Sequence, residues 1–136
     1  MEVQNAGRTR VVIDTNILID LVKSGKLVQF AEKYNGCITC VTLYEYLRGE
    51  LYLGRNINEI KSFLEEIFDI LYMDNNAIRK ACELWLSLAK KGELISEPDI
   101  WISAICITKN LPLITANVKH FKRLKENGLK ILTLQI

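Results

Sequence analysis

Arg10-Val-Val-Ile-Asp14-Thr-Asn-Ile-Leu-Ile-Asp20 is the stretch that decides the fold class. Its first half is a short β-branched run that closes on an acid, as suits a strand buried on both faces. From Thr15 the pattern turns helical, predicting a helix over 15–23 that Gly25 breaks. The same exchange of strand and helix repeats outward. Residues 26–34 read as a second helix, stopped by Asn35-Gly36. Residues 37–41 read as a strand and 42–53 as a helix that ends at Gly54. Ile60, Phe63, Leu64, Ile67 and Phe68 fall at helical spacing within 58–70. A brief strand over 71–73 precedes a helix over 76–91, closed by Gly92. A helix over 98–109 runs into Leu111-Pro112, followed by a strand at 113–115, a helix at 118–126 and a last strand at 130–134. Such alternation in one short chain implies an α/β domain: a parallel sheet covered by helices on both faces. Ligands in such sheets collect beyond the carboxyl ends of the strands, where the winding reverses.

Composition bounds the rest. The 136 residues suffice for one domain, and 49% of them are hydrophobic, which argues against disorder. No apolar run approaches the roughly 20 residues that span a bilayer. The first ten residues are polar and lack the apolar core of a signal peptide, so a cytoplasmic protein without a membrane segment is expected. Of four cysteines, Cys37 and Cys40 have a metal-like spacing but fall inside the strand read over 37–41, where residues three apart face opposite ways. All four are therefore expected to be buried thiols. The net charge is only +2, yet Lys109, Lys119, Lys122, Arg123, Lys125 and Lys130 share one C-terminal stretch opposed by Glu126 alone. That stretch suits a phosphate backbone, with Lys119, Lys122 and Arg123 as candidate contacts, or simply a solvated helix face.

The acids stand where a sheet of this kind puts its ligands. Asp14 closes the first strand. Glu45 follows the second, Asp99 opens the helix before the fourth, and Asn117 comes two residues after Thr115. Four oxygen-bearing side chains from four segments thus converge on one edge. Hard cations such as Mg²⁺ or Mn²⁺ take oxygen donors of this type, and a divalent ion relieves the repulsion among carboxylates. Each member also has a plainer reading. Thr42-x-x-Glu45 and Ser96-x-x-Asp99 fit capping boxes, and Asp14 and Asn117 suit helix N-caps. Glu97 is a possible extra ligand, whereas Asp20 lies far along its helix and is expected to face solvent. The single histidine, His120, reads as a surface or packing residue. Walker, Gly-x-Gly-x-x-Gly and Gly-x-Ser-x-Gly motifs do not occur, which leaves metal-activated water as the chemistry to expect.

Four segments carry a family resemblance. Val12-Ile-Asp14-Thr-Asn-Ile-Leu-Ile-Asp20 resembles the opening motif of PIN domains, and Val41-Thr-Leu-Tyr-Glu45 their second acidic motif. Glu97-Pro-Asp99-Ile-Trp-Ile-Ser-Ala104 is similar to the third, and Leu113-Ile-Thr115-Ala-Asn117-Val-Lys-His120-Phe121 to the fourth. Order, spacing and size match VapC-like toxins of type II toxin–antitoxin systems, from Arg10 to the C-terminus. The resemblance implies a three-layer sandwich on a five-stranded parallel sheet of order 3-2-1-4-5 over residues 10–136, with a tail at 1–9. It implies an endoribonuclease that hydrolyses RNA with a metal-activated water, a homodimer, and inhibition by a VapB-like antitoxin. Asp14, Glu45 and Asp99 carry over as Mg²⁺ or Mn²⁺ ligands, with Asn117 where many members have Asp. An amide brings no charge, so one ion is expected rather than two. Asn16 and Thr115 would orient the ligands by hydrogen bonding.

Two other classes stay open on sequence alone. One is a PIN-like module that binds RNA or protein with little or no catalysis, to which Asn117 gives some support. The other is an aspartyl-phosphate protein, since Asp74 follows the third strand as a receiver's acceptor would. Asp14 lacks the second acid beside it that a receiver needs, and Asp14-Thr-Asn16 is not the Asp-x-Asp of a phosphatase.

Overall fold

The computed structural model describes residues 7–136. Strand β1 (Thr9–Ile13) leads into helix α1 (Thr15–Ser24) and then α2 (Leu27–Lys33). Strand β2 (Tyr34–Thr39) is followed by α3 (Cys40–Tyr52) and α4 (Ile57–Ile67). Next come β3 (Asp69–Leu71), α5 (Asn75–Lys91) and α6 (Glu97–Lys109). Strand β4 (Leu113–Ile114), α7 (Val118–Phe121), a 3-10 helix (Lys122–Asn127) and β5 (Ile131–Leu132) complete the chain. Of the tail expected over 1–9, residues 1–6 lie outside the described residues, and β1 takes in Thr9.

The sheet has five parallel strands in the order β3-β2-β1-β4-β5, as expected. β1 sits at the centre, with Val12 opposite Cys37 of β2 and Leu113 of β4. The chain winds to one side of β1 as far as β3, then crosses back to β4, so the reversal falls between β1 and β4. Successive residues of β1 serve two cores. Val11 and Ile13 join Leu18 and Leu21 of α1, Phe30 of α2, Leu47 of α3 and Leu64 of α4. Val12 joins Leu84 and Leu88 of α5, Ile105 of α6 and Phe121 of α7. This is the three-layer arrangement, and β1 to β4 each contribute to both layers by the period-two geometry of a pleated sheet. Truncating one such core residue costs roughly 2–5 kcal/mol, against ~1 kcal/mol or less for an exposed ion pair, so the two cores set the stability.

Besides β3, which starts two residues before the strand read over 71–73 because α4 ends at Ile67, two local readings change. Asn35-Gly36 does not stop a helix: α2 passes directly into β2, and Gly36 is a buried strand residue. A Cβ there would come within 2.6 Å of the Phe30 ring and 3.0 Å of Phe68, so Gly36 is the residue that lets both rings lie on the sheet. The second change concerns α3, which begins at Cys40 because the Thr39 hydroxyl accepts from the Thr42 amide at 3.2 Å. Thr42 is therefore no cap, and Cys37 and Cys40 are split between strand and helix. Cys37 and Cys106 are buried, Cys40 is half-buried, and Cys82 is exposed, contrary to the expectation of four buried thiols. Burial pushes the Cys37 thiol up to about 11, so it is not poised as a thiolate ligand. Among the described residues, no helix is long and apolar enough to cross a membrane.

Candidate active site

The carboxyl ends of β1 and β4 open into a cleft of about 330 Å³ lined by Asp14, Thr15, Asn16, Glu45, Arg48, Asp99 and Asn117, with Ile19, Ile102 and Phe121. Asp14 is the deepest acid, 5% exposed. It is the N-cap of α1: its Oδ1 accepts from the Ile17 amide at 3.0 Å. The Thr115 hydroxyl donates to its other oxygen, Oδ2, and in turn accepts from the Asn117 amide at 2.9 Å. Thr115 therefore ties the end of β1 to the turn after β4. Glu45 accepts from the Thr15 hydroxyl at 2.6 Å, and that hydroxyl lies 3.2 Å from the hydroxyl of Thr42. Asn117 is in contact with His120, its Nδ2 being 2.8 Å from the ring Nδ1. With its amide N–H directed at His120, its carbonyl oxygen is an acceptor without a partner among the described residues.

Electrostatics mark the same place. Burial pushes the Asp14 carboxyl above the usual carboxylate range, and the charges of Asp99 and Asp20 add to this; the hydrogen bonds from Thr115 and Ile17 pull the other way. Burial also raises Asp99, with Glu45 contributing, while Ser96 and His120 oppose it. Two acids that resist ionisation beside a third form a site that a cation would relieve. Among the described residues, no three His, Cys, Asp or Glu side chains stand close enough to grip one ion by themselves. The oxygen donor set still suits Mg²⁺, which keeps several waters and uses one or two carboxylates.

A PIN-domain family model matches residues 11–127. The chain belongs to the PIN-domain family. Among curated PIN-domain relatives, it is 35% identical to ribonuclease VapC1 of Methanocaldococcus jannaschii over 123 residues, 90% of this chain and 87% of that one. It is 30% identical over 122 residues to ribonuclease VapC2 of Haemophilus influenzae, covering 84% of this chain and 91% of that one. Its fold is similar to the VapBC-1 structure from nontypeable Haemophilus influenzae, with a TM-score of 0.77 at 24% identity over 92% of this chain and 98% of that one. The DNA-bound VapBC structure from Salmonella typhimurium gives a TM-score of 0.75 at 24% identity, again over 92% and 98%.

On this PIN scaffold, Asp14, Glu45, Asp99 and Asn117 share one cleft with Asn16. Glu97 does not join them: two residues from Asp99 and so on another face of α6, it lines a separate cleft with Cys82, Trp85 and Trp101. Glu45 does not act as a capping-box acid, since α3 starts three residues earlier than Thr42-x-x-Glu45 suggests. Ser96 does cap α6, accepting from the Asp99 amide at 3.4 Å. Asn16 is exposed and makes no side-chain hydrogen bond to Asp14 among the described residues; Thr115 makes that bond instead. Half of the six basic residues of the C-terminal stretch are committed elsewhere. Arg123 donates to the carbonyls of Glu93 and Leu94, Lys109 pairs with Asp74, and Lys130 donates to the Asn110 side chain. Lys91 takes Glu126. Lys119 and Lys122 are exposed beside the cleft's α7 wall but do not line it. Asp20 is exposed, as expected. Sequence reasoning missed Thr15, Arg48 and the His120–Asn117 contact. Arg48 had a signal, since it lies three residues beyond Glu45 and so on the same helix face.

Proposed function

We propose that this chain is a metal-dependent endoribonuclease and the toxin of a toxin–antitoxin pair. The observation that carries this reading is the cleft where the winding reverses, which gathers Asp14, Glu45, Asp99 and Asn117 and holds two of the acids above their usual range. Relatives named ribonuclease VapC, and neighbours solved as VapBC complexes, support the same activity and a VapB-like antitoxin as partner. The family resemblance supports cytoplasmic action as a homodimer; sedimentation of a monomer at micromolar protein would remove the dimer from this reading.

Mg²⁺ or Mn²⁺ would supply a water of lowered pKa and polarise the scissile phosphate. Asp14, Glu45 and Asp99 would hold the ion between them, in part through its own waters, with the Asn117 carbonyl oxygen as a neutral fourth donor, which favours one ion over two. Thr115 fixes the Asp14 carboxylate and Thr15 the Glu45 carboxylate, so both are aimed before substrate arrives. His120 turns the Asn117 amide. The 2′-hydroxyl is not the attacking group, so products carry 5′-phosphate and 3′-hydroxyl ends. The test is incubation with RNA and Mn²⁺, with and without EDTA. Cleavage is expected to stop on chelation and in Asp14→Asn. Cleavage that survives either change would remove the metal mechanism, and RNA binding with no cleavage under any condition would replace this reading with a non-hydrolytic module.

A further inference from the structure

The cleft poses a problem for its own substrate. RNA phosphates must approach three carboxylates, and one ion near the scissile phosphate does nothing for the phosphates on either side. Arg48 is the one cationic side chain among the residues that line the cleft. It is exposed, and among the described residues it makes no ion pair with an acid. Its guanidinium lies over the ring of Tyr44, 5.1 Å from the centroid, and Tyr44 is 61% exposed. Tyr44 and Arg48 are four residues apart and so neighbours on the surface of α3, with Glu45 between them in sequence. Arg48 lines the acidic cleft, which none of the lysines of the C-terminal stretch does.

Resting on the ribonuclease reading, we propose that Tyr44 and Arg48 form a ledge that binds an unpaired nucleotide next to the scissile phosphate. A guanidinium offers a planar, two-pronged contact to a phosphate. The ring's free face, or the guanidinium plane above it, accepts a base. Base stacking needs a base that has left its helix, so the ledge selects RNA that is single-stranded at this nucleotide. It is tolerant of base identity, because every base has a stacking face. A ring and a guanidinium held together on a helix surface would also suit a protein contact, but their place at the lip of the acid cleft favours the strand that must cross it.

Binding can be read without hydrolysis. Fluorescence anisotropy of a labelled single-stranded oligoribonucleotide is followed in EDTA, with its integrity checked afterwards on a gel, beside a duplex of the same sequence. Tyr44→Ala and Arg48→Ala are each expected to weaken single-strand binding roughly tenfold, Tyr44→Phe to retain it, and all three to leave the melting temperature unchanged; Tyr44→Ala leaves duplex binding unchanged, and Arg48→Ala weakens it less than single-strand binding. Single-strand binding that is absent, or equal in Tyr44→Ala and the parent, overturns the ledge and assigns the pair to a protein contact. An equal loss for duplex also overturns it. Neither result touches the chelation and Asp14→Asn tests, so the ledge can fail while the nuclease stands.

Discussion

Asp14 and Asp74 make the same local structure and different chemistry. Each follows a strand and caps the next helix: Asp14 Oδ1 accepts from the Ile17 amide at 3.0 Å, and Asp74 Oδ1 accepts from the Ala77 amide at 2.9 Å. Their surroundings part from there. Asp14 follows the central strand β1, is buried, and has Asp99 and Asp20 as its charged influences. Asp74 follows the edge strand β3, is exposed, and has Lys109 at 3.1 Å. Burial raises the first carboxyl; the Ala77 amide and Lys109 lower the second. A cap at the sheet centre becomes a strained acid and a cap at the edge becomes a settled one. Position across the sheet, more than the strand–acid–helix motif, separates a candidate ligand from a plain cap.

The sharpest way to break that comparison is the same substitution at both ends. Asp14→Asn is expected to cut RNA cleavage about a hundredfold or more, because a charged ligand is lost while an amide can still cap α1. Asp74→Asn should leave cleavage unchanged. Comparable activity in the two variants would make Asp14 a cap and nothing else. A smaller effect is expected one step back from the ligand. Thr115→Val removes the hydroxyl on Asp14 Oδ2 and should cost roughly ten- to a hundredfold in Mn²⁺ affinity, read by calorimetry, with cleavage falling in parallel. A loss of activity with unchanged Mn²⁺ affinity would mean that Thr115 serves the substrate and not the ligand.

The sequence carries the sheet well because its punctuation is strong: the β-branched run Val11–Ile13 ends at Asp14, and Gly25, Gly54 and Gly92 close helices or turns. It carries the acids well because topology alone sends the ends of β1 and β4 to one place. What it hides is three-dimensional in origin. Gly36 looks like a turn residue, yet its missing side chain is needed by Phe30 and Phe68, which come from elements on either side. Thr42-x-x-Glu45 looks a better cap than Thr39, but Glu45 is drawn to the Thr15 hydroxyl across the cleft. Leu47 belongs to the core while Tyr44 and Leu51 of the same helix stay exposed, a division that helical spacing alone leaves open. The basic C-terminal residues are neighbours in sequence, but Arg123, Lys109 and Lys130 reach different partners.

Stability against pH sharpens the comparison with its smallest signal. A raised carboxyl holds its proton more tightly in the folded chain than in the unfolded one. Asp14 therefore costs stability as pH rises from the ordinary carboxylate value through its raised one, and the cost remains above that. Asp74 has the opposite sign: its contribution is present above the ordinary carboxylate value and is lost as pH falls through its lowered one. In EDTA near pH 8, Asp14→Asn should melt above the parent by roughly 2–5 °C, the gap closing on acidification. Asp74→Asn should melt slightly below the parent, that gap also closing on acidification. Mn²⁺ should stabilise the parent and Asp74→Asn alike, and should reverse the order for Asp14→Asn, because only the folded, charged site binds it. If Asp14→Asn instead melts below the parent in EDTA, the carboxylate is held at the sheet centre for the fold's sake, and its raised pKa is not a sign of a site waiting for a cation.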